Sequence, residues 1–312
     1  MSAEAPAMGN PAESKIDWTI VIPAGRPSVP ETLPAALLAQ DVASGRLEVI
    51  WVSPGPMRGL PEHPMFRQVF TGVLEPPGEM RNRGAAQARG EFLFFLDDDC
   101  IPPSNWVSGL AAALQADPAL GALGCACRYP DSDWIGVCAD HALFPHCVSS
   151  IPAERPFGSG AMAARKDAWR MVGGFDSGLK ASEDWDFGLR LIEKGWKVRY
   201  DPTFSVAHLH GRRSVRDILR SAYFSGRESG LTVQLRHRFR MSSWARGFIR
   251  MRHPLLYPWM VPVDTVLQTG LHLMREVRAC PRLYQCFPIC VAARLAYHAG
   301  VWRRLCERNN RA

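Results

Sequence analysis

Three adjacent carboxylates, Asp97, Asp98 and Asp99, close the apolar run EFLFFL at residues 91–96. Like charges so closely spaced repel, so this placement needs a compensating cation or full solvation. A hard divalent ion takes oxygen ligands and keeps positions open for water or substrate phosphates. A second acidic set, Glu183, Asp184 and Asp186, opens a helical pattern behind a glycine-rich turn. Acids at a helix start complement its dipole, with Ser182 as the expected N-cap, but that explains one or two of the three. His208 and His210 alternate along the end of a strand pattern and so share a face. A metal that absorbs charge on a departing diphosphate, with a base to deprotonate an acceptor hydroxyl, is equipment for group transfer.

Such residues need a frame that holds them at strand ends. WTIVIPAG (18–25), LEVIWVS (47–53) and EFLFFL (91–96) read as buried strands, and residues 196–207 as a last one. Helical patterns lie between and after them, at residues 30–43, 79–90, 105–116, 165–172 and 183–194. Strands alternating with helices of this length predict an α/β fold, a mostly parallel sheet covered on both faces. In such sheets ligands bind beyond the carboxyl ends of the strands, where these polar clusters fall.

RNRGAAQARGEFLFFLDDDC (81–100) resembles the segment leading into the D-x-D motif of family 2 glycosyltransferases. SGAMAARKDAWRMVGGFDSGLKASEDWDFGLRLIEKGWKV (159–198) is similar to that family's acceptor-side half, with its Gly-Gly-Phe-Asp turn and Glu-Asp-x-Asp motif. DPTFSVAHLHG (201–211) resembles the histidine-bearing strand that closes the site, and VIPAGRP (21–27) the first strand and nucleotide turn. The four lie in the family's order across residues 17–211. The resemblance implies a GT-A-type domain and a metal-dependent, inverting transfer of sugar from a nucleotide-diphosphate donor to an acceptor hydroxyl. It implies Asp99 as a ligand of Mn²⁺ or Mg²⁺, and His208, in preference to His210, as a ligand of that metal or of the diphosphate, a nitrogen ligand favouring Mn²⁺. It places Asp97 and Asp98 in the donor site with Pro23, Arg26, Arg81 and Asn82, and makes Asp184, in preference to Glu183, the base. Trp185 could stack on a sugar ring or belong to the core. One departure concerns the nucleobase: Ser53 stands where the family usually carries an acid, so UDP, GDP and dTDP donors all stay open. Two other classes remain, an inactive glycosyltransferase-like subunit and a nucleotidyltransferase, for which PAGRP is a faint echo of a phosphate loop.

The net charge of +7 is unevenly spread. Residues 1–211 carry 18 Lys and Arg against 25 Asp and Glu, while residues 212–312 carry 19 Arg, no Lys and 5 acids. The split marks a boundary near Gly211 and an anionic partner for the second half. The run at 283–302 has bilayer length, but Arg294 in its middle costs about 2.5–3.5 kcal/mol in a membrane. Helices lying in the interface, arginines toward the headgroups, fit better, with plain packing on the catalytic half as the alternative. No nucleic-acid module appears and the first half is acidic, so nucleic acid is not an expected partner. The expected place is cytoplasmic, peripheral on the inner face of an anionic membrane, with a lipid-linked or cell-envelope glycan as acceptor. Residues 1–16 lack an apolar run and read as a disordered leader. Nine cysteines then read as reduced, buried thiols. Cys125, Cys127, Cys138 and Cys147 with His141 and His146 could ligate zinc, but lack the paired C-x-x-C spacing.

Overall fold

The computed structural model describes residues 15–43, 45–130, 133–230, 233, 236–237, 257–278 and 281–309. All but the last two residues of the expected leader, and much of the arginine-rich stretch before 257, lie outside them. The chain runs β1 (Trp18–Pro23), α1 (Thr32–Leu38), β2 (Leu47–Ser53), β3 (Phe66–Phe70), α2 (Pro77–Gln87), β4 (Phe92–Leu96), β5 (Cys100–Ile101), α3 (Trp106–Ala116) and β6 (Leu120–Arg128). It continues with α4 (Trp134–Leu143), β7 (Ala161–Arg165), α5 (Lys166–Met171), α6 (Glu183–Glu193), β8 (Lys197–His208), α7 (Val215–Ser225), α8 (Tyr257–Glu276) and α9 (Phe287–Asn309).

The strands form one eight-stranded sheet in the order β3-β2-β1-β4-β7-β6-β8-β5. The β3/β2, β2/β1, β1/β4 and β6/β8 pairs are parallel; β7 and β5 pair antiparallel with their neighbours. Strand alternation divides the apolar residues between two layers. Ile20, Ile22, Phe94 and Leu96 pack with Leu33, Leu37, Trp106 and Leu110 of α1 and α3. Val21, Leu93 and Phe95 pack with Met80, Ala168, Phe187 and Leu191 of α2, α5 and α6. Burial on both faces is why β4 reads as an unbroken apolar run, and β2 as one interrupted only by the buried Glu48 before it ends at Ser53.

The C-terminal helices continue the same body. Ile218, Ala222 and Ala293 share a core with Ala139 of α4, and Leu273, Leu283, Cys286 and Cys290 another with Cys138. The apolar run at 283–302 begins in a 3₁₀ turn and becomes α9, where Arg294 bonds Asp264 of α8 at 3.0 Å. No helix among the described residues is long and apolar enough to cross a membrane.

Candidate active site

β4 ends at Leu96, and three structural facts gather a site around the acids that follow. Antiparallel pairing sets Leu96 opposite Ala161, and the Asp97 amide donates to the Gly160 carbonyl at 2.9 Å. The loop before β7 therefore meets the first acidic cluster. β5 pairs Cys100 with His208, and Leu209 N–H donates to Asp99 O at 2.7 Å, which brings the end of β8 alongside. The third fact is Arg81.

Arg81 sits on α2, is only 2% exposed, and holds Asp97 Oδ1 at 2.6 Å and Glu183 Oε1 at 2.7 Å. Two carboxylates at the edge of a core need a cation between them, and a guanidinium reaches both. The two acidic clusters, distant in sequence, are one cluster in space. Arg81, which the resemblance implies for the donor site, is here paired with Asp97 and Glu183. Arg81→Met is expected to destabilise the protein by about 3–5 kcal/mol, because it leaves both acids without a counter-charge. Denaturant titration reads the loss, and a change below about 1 kcal/mol would show the bridge to be unimportant.

Asn82, the other α2 residue that the resemblance implies for the donor site, bonds the turn before α6. Its amide accepts from Phe175 N–H and donates to Phe175 O, both at 2.8 Å, so both ends hold the Gly-Gly-Phe turn. Gly174 in that turn has φ +73°, and a Cβ there would stand 2.4 Å from Asn82 Oδ1. Only glycine meets both demands. Pro23 is the buried last residue of β1. Ser53 is buried and donates to Gly55 O at 2.7 Å, closing the turn after β2. Arg26, in the loop after β1, faces the acids: it holds Asp98 Oδ1 and Asp99 Oδ2, both at 2.9 Å, with its side chain 45% exposed.

Burial pushes the Asp98 carboxyl up to about 6 against the opposing charge of Arg26. The Asp184 carboxyl is pushed up to about 7, by burial and then by the neighbouring Glu183 charge. Asp184 Oδ2 accepts from Ser159 N–H at 3.0 Å and Oδ1 from its neighbour Trp185 N–H at 2.7 Å. Glu183, in contrast, is tied to Arg81. Trp185 is half-buried, its ring 4.7 Å from that of His146. Ser182 does not cap α6 with its side chain; it takes a left-handed φ of +61° where the turn enters the helix. Asp186, fully buried, bonds Arg190 at 2.7 Å, Arg236 at 2.7 Å and His237 at 2.9 Å.

His208 Nε2 faces Asp99 Oδ1 at 3.7 Å, and Cys100 Sγ belongs to the same group of candidate ligand atoms. A second group unites His208 and His210 with Asp140 of α4, a residue the sequence reading missed. An acid within the apolar stretch WIGVCADHAL was the available signal. The cysteine and histidine set considered for zinc forms no such group among the described residues.

Residues 75–173 match the model of the family "Glycosyl transferase family 2". The pre-mycofactocin glycosyltransferase of Mycobacterium tuberculosis (strain H37Rv) is 33% identical over 174 residues, 51% of this chain and 35% of its own length. This chain thus spans about a third of that relative. Among solved structures, a mannosyltransferase from Pyrobaculum calidifontis, in complex with GDP-Man and Mn²⁺, superposes with a TM-score of 0.62 at 16% identity, over 98% of this chain and 92% of that one. GalNAc-T7 with UDP, GalNAc and Mn²⁺ gives 0.56 at 15% identity, over 78% and 51%. At such identities the likeness is one of fold: the GT-A-type sheet with flanking helices.

Proposed function

We propose that this chain, a member of glycosyl transferase family 2 through residues 75–173, moves a sugar from a nucleotide-diphosphate donor to an acceptor hydroxyl with inversion. The observation that carries this reading is the meeting of both acidic clusters across Arg81, with His208 beside Asp99. Asp99 and His208 would hold the divalent ion. One carboxylate oxygen facing one imidazole nitrogen is a donor set that suits Mn²⁺, with Mg²⁺ the alternative. The grip of Arg26 on Asp98 and Asp99 marks these carboxylates as a place that requires positive charge. The bound ion supplies neutralisation of charge on the departing diphosphate. Arg26 is the chain's own cation at that spot and would hold diphosphate oxygens, while Asp97 and Asp98 orient the donor. Asp184 takes the proton of the acceptor hydroxyl on the side of the sugar away from the diphosphate, which gives in-line displacement.

A panel of UDP, GDP and dTDP sugars with Mn²⁺ tests this directly. Donor turnover is expected with one nucleotide series; Ser53, already bonded to Gly55, supplies no carboxylate to choose between bases. Binding without turnover would identify an inactive subunit, and pyrophosphate release from a nucleoside triphosphate a nucleotidyltransferase.

The domain assignment we propose is catalytic for residues 17–211 and membrane-associated for 212–312, with the protein peripheral on the cytoplasmic face of an anionic membrane. Support comes from α8, whose Trp259 is 81% and Met274 75% exposed, with Val263, Val266 and Leu267 exposed between them at helical spacing. An exposed apolar stripe within an arginine-rich region is the composition of an interfacial helix. Basic residues near such a surface contribute about 1 kcal/mol each, fading within a Debye length. The acceptor would then be a glycan or a lipid-linked precursor at that surface. Because α7 and α9 share cores with α4, the test uses the full chain. Cosedimentation with vesicles is expected to require anionic lipid, weaken with salt, and drop in Trp259→Glu/Met274→Glu. Equal retention on neutral vesicles, or none on any, would sink the assignment.

A further inference from the structure

Behind the proposed metal site lie two buried polar residues that the proposed reaction does not use, Asp140 and His210, in one group with His208. Asp140 is 3% exposed, His210 1% and His208 8%. Asp140 Oδ1 lies 3.2 Å from His210 Nε2 and 3.6 Å from His208 Nδ1. Among the described residues none of these three atoms has another hydrogen-bond partner; there they have only one another. The other ends of the group are accounted for. Asp140 Oδ2 accepts from Tyr129 N–H at 2.5 Å, and His210 Nδ1 accepts from Arg212 N–H at 3.4 Å. A neutral imidazole that accepts at Nδ1 carries its proton on Nε2, so His210 presents a donor to Asp140 Oδ1.

We propose that Asp140 is a positioning residue for the transfer reaction: it receives the Nδ1–H of His208 and so leaves the Nε2 lone pair of that ring turned toward Asp99. The inference rests on the reading of His208 as a metal ligand and goes beyond it to what sets the ring's tautomer. A ligating histidine commonly donates its other N–H to a carboxylate, which fixes both orientation and tautomer. Here one carboxylate serves two rings, and β5/β8 pairing together with α4 brings all three to the same place.

Asp140→Asn discriminates a tautomer role from simple packing, since it preserves shape. The Tyr129 N–H still requires an oxygen, so the new amide turns its NH₂ toward the histidines. His208 Nδ1 must then accept, which moves the proton to Nε2 and blocks the lone pair. The same exchange beside another catalytic histidine produces the wrong tautomer with the geometry intact.

Two readouts apply to the full chain. Long-range ¹H–¹⁵N NMR on histidine-labelled, metal-free protein should show Nδ1–H on His208 in the wild type and Nε2–H in Asp140→Asn. Mn²⁺ affinity, read by electron paramagnetic resonance, should fall about 10–100-fold in the variant, with melting temperature as the check on folding. An unchanged tautomer with Mn²⁺ affinity within about twofold of wild type overturns the role of Asp140. Two ions per wild-type chain, falling to one in the variant, overturns it as well, because Asp140, His208 and His210 would then hold an ion of their own. Mn²⁺ affinity unaffected by His208→Ala overturns instead the ligand reading beneath it, and the NMR comparison separates the two failures.

Discussion

Asp99→Asn is expected to lower turnover on the order of 1,000-fold or more while the protein stays folded. The substitution keeps the shape of a side chain at the rim of the sheet and one neutral contact to Arg26, so the structural cost is small. What is lost is a carboxylate oxygen facing His208 Nε2, and with it, on the proposed reading, the hold on an ion that would offset charge on the leaving diphosphate. Chelation of the wild type should produce a loss of the same order, and added Mn²⁺ should restore the wild type but not the variant. Steady-state assays with circular dichroism measure both halves of the claim. Normal turnover of the variant and of chelated wild type would remove the metal from the proposal.

Asp184→Asn should abolish transfer, by about 10²–10⁴-fold, with donor affinity nearly unchanged. The base acts on the acceptor, and Ser159 and Trp185 amides can still bond an amide oxygen in its place. Calorimetric titration with the nucleotide separates the cases: donor affinity lost in step with rate would move Asp184 into the donor pocket. A pH profile adds an independent check. A base must be ionised, and burial beside Glu183 raises the Asp184 carboxyl to about 7. Rate should therefore fall as pH drops below about 7. The variant's residual activity should lack that acid limb.

The parts of the fold that could be read in advance are those whose local signal and burial agree. β1, β2 and β4 are largely apolar because both of their faces are covered, and α6 announces itself by its acids and its stripe of Phe187 and Leu191. β6 and β7 escaped for the opposite reason. LGALGCACR and AMAAR are nearly all small residues, which carry little strand preference. Tertiary contact requires that smallness: a Cβ on Gly124 would lie 2.2 Å from the Phe157 ring. The clustering of acids was legible where it is local, as at Asp97 to Asp99. The contacts of Arg81, Asn82 and Asp140 were not, because their partners lie on segments brought alongside only by strand pairing and helix packing.

Asp186 gives the base helix a dependence that its own sequence does not reveal. The carboxylate is fully buried two residues beyond Asp184, and two of its three partners, Arg236 and His237, come from beyond α7. Burial opposes its charge, and the bonds from His237, Arg190 and Arg236 overcome that, holding its carboxyl below the usual range. Arg236 also reaches Asp176 at 2.6 Å, so one guanidinium clasps the turn before α6 and the helix itself. If that segment lifts away, Asp186 keeps Arg190 alone, a solitary pair for a charge with no access to water. The first turn of α6 is thus fastened from outside the sheet, by one guanidinium and one imidazole of the arginine-rich half of the chain, beside the carboxylate proposed as the base.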